Sequence, residues 1–245
     1  MRRFLFLLLL GTAAGTQGAW AQKIIEKSVV VASGQRLYLN LRHAQNIRIR
    51  PGASGRVVLK ATVDINQNKL NDALQLTQET SGGEVIFKSD LDTEMLQNAQ
   101  PGNCPNGGAY YGKTYIGHGK NGGVRDKDGR SPNQVCVSVN FDIVVPADVT
   151  LRVSTISGDI DIVGLTGAID AKSISGFVDV TWGAKSADLS LKTITGEVYT
   201  DQDVAFSNRK ENPVVGYQVR GTLGSNGPLV KLESISNDVY FRKRK

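Results

Sequence analysis

Apolar and polar residues alternate with the two-residue period of a β-strand along most of this chain, and in its C-terminal half the alternation is organised into a repeat. The segments LRVSTISGDIDI (151–162), IDAKSISGFVDV (169–180), LSLKTITGEVYT (189–200) and VKLESISNDVYF (230–241) superpose without gaps. The first half of each copy puts Leu151 and Val153, Ile169 and Ala171, Leu189 and Leu191, or Val230 and Leu232 on one strand face. The second half alternates through Ile160, Val178, Val198 and Val239. Ile156, Ile174, Ile194 and Ile235 stand an odd number of places after the first set, so a bend or bulge must absorb a slip of phase. Gly158, Gly176 and Gly196 follow, and Asn237 takes the same place in the fourth copy. A corner with positive φ suits both residue types. The pattern predicts two short strands per copy, structural corners at these four positions, and an internal ladder of the four isoleucines.

The corner positions recur after 18, 20 and then 41 residues. That period predicts an all-β, β-solenoid (β-helix-like) fold with coils of about 20 residues laid strand beside strand at about 4.8 Å. The doubled interval reads as one degenerate coil with a longer loop. The N-terminal part is more irregular. Gln35 to Ile49 reads as a further copy with one residue missing before its second strand, and strands are expected at Ile24–Val31, Arg56–Val63, Glu84–Phe87 and Val135–Val145. Asn66–Gln78 is the one stretch compatible with a helix, although LQLTQ within it also alternates.

Residues 1–21 have the form of a secretory leader: Arg2 and Arg3, an apolar run from Phe4 to Leu10, and small residues ending Ala19-Trp20-Ala21. The apolar run is too short to span a bilayer, and no later stretch is apolar enough to do so. The expected organisation is therefore a leader over 1–21, a β-strand region over 22–91 and an insert over 92–134. Repeats over 135–241 and a basic tail over 242–245 complete it. Export makes a Cys104–Cys136 disulfide the default reading, against the alternative of two buried thiols. The insert holds nine glycines, too many for a strand in a segment too long for an ordinary loop. Its Tyr110, Tyr111 and Tyr115, with Lys113 and His118, form a possible sugar-stacking patch, against the reading of a plain surface insert.

Charge and composition narrow the chemistry. The net charge is +6, two of it in the leader, so the rest is only mildly basic and carries no basic stripe or recognition helix suited to nucleic acid. Arg242 to Lys245 read as a solvated tail, against the alternative of a contact with an anionic surface. With His43 and His118 as the only histidines, paired-His zinc sites and most histidine-dependent triads are excluded. Asp159, Asp161, Asp170 and Asp179 are expected to cluster on neighbouring coils. Such a cluster fits a glycosidase-like carboxylate pair, a Ca²⁺ site or, as the reading adopted, a solvated face, with no metal and no cofactor assigned. Tyr199 and Tyr240 take the outward position held by Asp161 and Asp179, a second possible stacking strip.

The repeats TISGDIDI, SISGFVDV, TITGEVYT and SISNDVYF, preceded by VSVNFDIVVPADVTLRV, resemble the bacterial "putative adhesin" family of exported β-strand-repeat domains of unknown function. The resemblance is strong over 135–241 and weaker over 23–90, and the cysteine-bearing insert departs from it. It implies a β-solenoid at the bacterial envelope and brings no catalytic residues to carry over. The expected function is thus a non-catalytic periplasmic or cell-surface adhesin or scaffold that binds glycan or an envelope protein. The alternative is a polysaccharide-degrading β-helix enzyme that uses the clustered acids.

Overall fold

Alternation over each repeat copy produces two short strands that enter two different sheets and turn their apolar residues toward each other. The computed structural model describes residues 22–32, 34–52, 55–100, 102, 104, 109–111, 115–118, 124–126, 133–207 and 216–244. The leader expected over 1–21 lies outside the described residues. The N-terminal part contributes β1 (Lys23–Val30), β2 (Arg36–Leu41), β3 (Asn46–Gly52), β4 (Arg56–Ile65), β5 (Leu74–Ser81) and β6 (Glu84–Leu91). The insert contributes α1 (Thr93–Gln97), β7 (Ala109–Tyr111), β8 (Tyr115–His118), β9 (Val124–Asp126) and β10 (Asn133–Val135). β11 (Val137–Pro146) leads into the first two copies, β12 (Thr150–Thr155) with β13 (Asp159–Val163) and β14 (Ile169–Ser173) with β15 (Val178–Trp182). The third copy is β16 (Ala187–Thr193) with β17 (Val198–Thr200). β18 (Ala205–Phe206) and β19 (Tyr217–Leu223) precede the fourth, β20 (Leu229–Ser234) with β21 (Val239–Lys243).

The fold is all-β, built on two large mixed sheets. The first has the order β1-β4-β11-β3-β13-β15-β21-β17, and the second β18-β19-β16-β20-β14-β12-β2-β6-β5. Within each, the copies run parallel and in register, so Leu151 lies beside Ile169 and Ile160 beside Val178. Their inward side chains form one core with the N-terminal strands, and burying each aliphatic chain stabilises by about 1.5–3 kcal/mol before entropy is subtracted. Asn66–Gln78 does not become an α-helix: Asn71–Ala73 makes one 3₁₀ turn and the alternation from Leu74 onward makes β5.

Four expectations are corrected. The copies do not stack in chain order, because the fourth pairs with the second on one side and the third on the other. The interval before the fourth copy holds no parallel coil among its described residues; β19 pairs antiparallel with both β16 and β18. The N-terminal copy does stack on the first, but Leu37 is level with Leu151 and Ile47 with Ile160, so its corner is one residue longer rather than one shorter. The basic tail is in part a strand, since Arg242 and Lys243 belong to β21.

The corner itself differs most. Ile174 and Ile194 are 39% and 38% exposed and Ile156 and Ile235 half-buried, so no internal isoleucine ladder exists. The buried residue is the hydroxyl before each one: Thr155, Ser173, Thr193 and Ser234 continue the inward alternation of their strands. Nor is φ positive at Gly158, Gly176, Gly196 or Asn237. The glycines are required by proximity, since a Cβ on Gly176 would lie 2.0 Å from the Gly158 carbonyl oxygen, and one on Gly196 2.3 Å from that of Asn237. The hydroxyls tie these close rungs together. Ser173 Oγ accepts from the Gly176 amide at 2.9 Å and donates to the Gly158 carbonyl at 2.8 Å. Ser234 does the same for Asn237 and Gly176, and Thr193 for Gly196 and Asn237.

The insert is anchored where it can be described. Cys104 and Cys136 form a disulfide with a Cα–Cα distance of 5.3 Å and a sequence separation of 32. In the chain-entropy description such a closure contributes about 3–4 kcal/mol.

Ser173→Ala removes the partner of one buried amide and one buried carbonyl, and should lower the unfolding free energy by about 1–3 kcal/mol in urea titrations. Gly176→Ala should cost more, because the obstructing atom is backbone. Ser175→Ala, on the exposed side of the same corner, should leave the midpoint unchanged, and equal loss in all three would contradict the hydroxyl ladder.

Candidate functional site

In-register strands place equivalent outward residues in straight rows across a sheet. On the outer face of the first sheet one row reads Glu26, Lys60, Asp142, Arg48, Asp161, Asp179, Tyr240, Tyr199. It brings together four of the residues singled out in the sequence: Asp161 beside Asp179, Asp179 beside Tyr240, and Tyr240 beside Tyr199. Asp159 joins them from two residues earlier on the strand of Asp161, its Oδ1 accepting from the Phe177 amide at 3.1 Å. Asp170 does not. It lies on the first strand of its copy, so it faces outward from the second sheet, where Lys231 lies 3.4 Å away. For the insert, the side chains of Tyr110, Tyr111, Tyr115 and His118 lie outside the described residues, as does Lys113.

The acids in this row are partly removed from water. Arg48 and Asp161 both line two adjoining depressions of about 150 and 130 Å³. Arg50 and Asp142 complete one, and Asn46, Asp159, Phe177 and Asp179 border the other. Burial raises the Asp161 carboxyl above its ordinary pKa, although Arg48, Arg242 and Arg50 pull it back. Burial likewise raises Asp179, opposed by Arg242 and reinforced by the charges of Asp161 and Asp201. Asp179 Oδ2 meets Arg242 Nε at 3.0 Å, while its Oδ1 is buried without a hydrogen-bond partner.

Beyond the acids the row becomes aromatic. Tyr199 and Tyr240 stack at 5.1 Å between ring centroids with an interplanar angle of 12°. Phe177 meets Tyr240 edge-on at 6.2 Å, and the Arg242 guanidinium lies 4.7 Å from the Tyr240 centroid. The Tyr199 hydroxyl donates to Glu197 Oε2 at 2.6 Å, and the Tyr240 hydroxyl to Asp238 Oδ2 at 2.9 Å. The hydrogen bond to Glu197, above all, pushes the Tyr199 phenol up to about 12.

Sequence reasoning missed Arg48, Phe177, Glu197, Asp238 and Arg242. Arg48 occupies in the N-terminal copy the place of Asp161, and the one-residue error at that corner concealed it. Phe177, Glu197 and Asp238 follow directly on the corner positions that were recognised. Among the described residues, no three acids, histidines or cysteines are arranged to hold a metal ion, and no helix is long and apolar enough to cross a membrane.

No family model matches the chain, and no curated protein matches it. A crystal structure described as a "putative cell adhesion protein" from Clostridium sporogenes ATCC 15579 is similar in fold, with a TM-score of 0.51 at 9% identity over 91% of this chain and 100% of that one. Another, a "putative adhesin" from Bacteroides fragilis NCTC 9343, aligns at 10% identity over 91% of this chain and 97% of that one, with a TM-score of 0.31.

Raised carboxyls have a thermodynamic signature. The folded state holds the protons of Asp161 and Asp179 more tightly than the unfolded chain does. Their contribution is therefore full below the ordinary carboxylate range and is lost as pH rises through the raised values. Asp179→Asn should gain stability relative to the parent between about pH 4 and neutrality in urea unfolding, whereas parallel pH curves would remove Asp179 as the cause. Independently, Glu197→Gln should return the Tyr199 phenol from about 12 toward the ordinary 10 in an ultraviolet phenolate titration.

Proposed function

We propose that this chain is a non-catalytic, exported protein of the bacterial envelope or cell surface, an adhesin or scaffold that binds glycan or an envelope protein along the outer face of its first sheet. The observation that carries this reading is the row in which Asp161 and Asp179 continue into the Tyr240–Tyr199 stack. Extended rows of stacked rings and hydrogen-bonding groups on a rigid sheet suit a linear ligand, and aromatic residues supply contact area at low entropic cost. The repeated parallel rungs support reading this part of the chain as a short β-solenoid.

Further support comes from three sides. The Clostridium protein of similar fold is described as a "putative cell adhesion protein". The Cys104–Cys136 disulfide suits an oxidising compartment. The leader pattern of residues 1–21 supplies a route there. No cofactor and no nucleic acid enter this reading.

The test is a glycan array combined with pull-down from envelope extracts, using the chain from Gln22 onward. Retention of a partner that is lost in the Tyr199→Ala/Tyr240→Ala double variant is the expected result. Absence of any partner in both assays would overturn the proposal. Turnover of a polysaccharide that disappears in Asp161→Asn and Asp179→Asn would replace it with the enzyme reading.

A further inference from the structure

Among the described residues, the tyrosine pair is closed at one end and open at the other. Tyr240 is stacked on Tyr199 and also carries the Arg242 guanidinium over its ring, with Asp179 holding that guanidinium. Tyr199 belongs to β17, the last strand of the first sheet, and is 44% exposed. Its ring is nearly parallel to that of Tyr240, so the face turned away from Tyr240 points beyond the sheet edge and continues the stacking direction.

What that face can hold follows from where the charges sit. The cation on Tyr240 is balanced by a carboxylate from the neighbouring rung, Asp179. At Tyr199 the carboxylate is elsewhere: Glu197 meets the phenol oxygen at 2.6 Å, at the rim of the ring. Asp238 takes the Tyr240 hydroxyl in the same way and also accepts from the Glu197 amide at 2.9 Å, so the rim of the pair is anionic. A bare ammonium or guanidinium centred over the ring would find its countercharge only at the rim, without the direct pairing that Asp179 gives Arg242. A saturated six-membered ring fits both features, with its C–H face on the aromatic face and its equatorial donors reaching the rim carboxylate. A ring bearing its own carboxylate or sulfate would meet like charge at that rim.

We propose that the open face of Tyr199, rimmed by Glu197, is a stacking subsite for a pyranose ring of a glycan that carries hydroxyl or amino donors and no acidic groups. This rests on the reading of the chain as a binding protein and narrows its ligand. The stacked phenol is held in place by Glu197, so the platform exists before the ligand arrives and little ordering remains to be done on binding.

The experiment titrates the protein with four probes of matched length: a neutral hexose oligosaccharide, a hexosamine oligosaccharide with free amines, a hexuronate oligosaccharide and an oligolysine peptide. The neutral and amine-bearing sugars should bind, and the hexuronate should bind at least about tenfold more weakly. Tyr199→Ala should weaken the two sugars by about tenfold while Tyr199→Phe, which keeps the ring, retains them. Glu197→Gln should abolish the preference for amine over uronate. Thermal unfolding of each variant verifies that the exposed edge residue has been changed without loss of the fold. Equal binding of hexuronate, or undiminished sugar binding in Tyr199→Ala, overturns the subsite. Binding of oligolysine alone also overturns it, yet leaves the broader binding-protein reading intact; that reading falls only if the array and the pull-down are empty as well.

Discussion

A hydroxyl buried at each repeat corner fixes the separation of neighbouring rungs, and the rest of the architecture inherits its register from that contact. Ser173 bonds at once to the amide of its own corner and to the carbonyl of the rung beside it, and Ser234 and Thr193 repeat the arrangement one rung further on each time. A tight corner in a packed interior would otherwise leave an N–H and a C=O without partners, at about 1–3 kcal/mol for each unmet group. The same closeness explains Gly158, Gly176 and Gly196, since a Cβ there would collide with backbone of the adjacent rung. Register held at the corner is register held along both strands that leave it, which is why outward residues three positions past the corner glycine or asparagine fall into one row.

Much of this was legible in the chain and some of it was not, for identifiable reasons. Strand alternation located β1, β4, β6 and β11 and all four copies, because burying one face of a strand enforces a period of two. Hydrophobicity failed at the corner. Isoleucine outranks serine on any scale of burial, but Ser173 is inside and Ile174 outside because the corner needs a group that both donates and accepts. The inward alternation Leu151, Val153, Thr155 was present in the sequence and ran through the hydroxyl without a slip. Asp170 was misplaced for a related reason: strands of one copy belong to opposite sheets, so acids close in sequence are separated by the full core.

Rung order was illegible because the copies share almost the same pattern of inward positions. Each offers nearly the same apolar positions and a corner hydroxyl, the third differing by Thr200 in the place of Ile162, Val180 and Phe241, so local pattern does not dictate which copy lies beside which. What distinguishes them lies outward. With the fourth copy next to the second, Arg242 reaches Asp179 at 3.0 Å and covers Tyr240. Chain order would have placed the third copy beside Asp179 instead, and that copy offers Asp201 near the place of Arg242, an acid already adding to the strain on Asp179.

Stacking identical copies in register carries an electrostatic cost that shapes the candidate site. Equivalent side chains lie one strand spacing apart, so an outward aspartate that recurs from copy to copy becomes a column of like charges. Asp161 and Asp179 begin such a column; both are held above the ordinary carboxylate pKa, and Asp161 contributes to the rise at Asp179. Arg48 precedes them in the row and Arg242 answers from the next rung, which limits the repulsion to one adjacent pair. A third and fourth aspartate would have had no such answer. Tyrosine at 240 and 199 ends the column and turns repeated proximity from a penalty into a gain, because stacked rings favour the very spacing that stacked carboxylates resist. The proposed recognition surface therefore lies at the end of the row, where the geometry of the repeat continues and its charge does not.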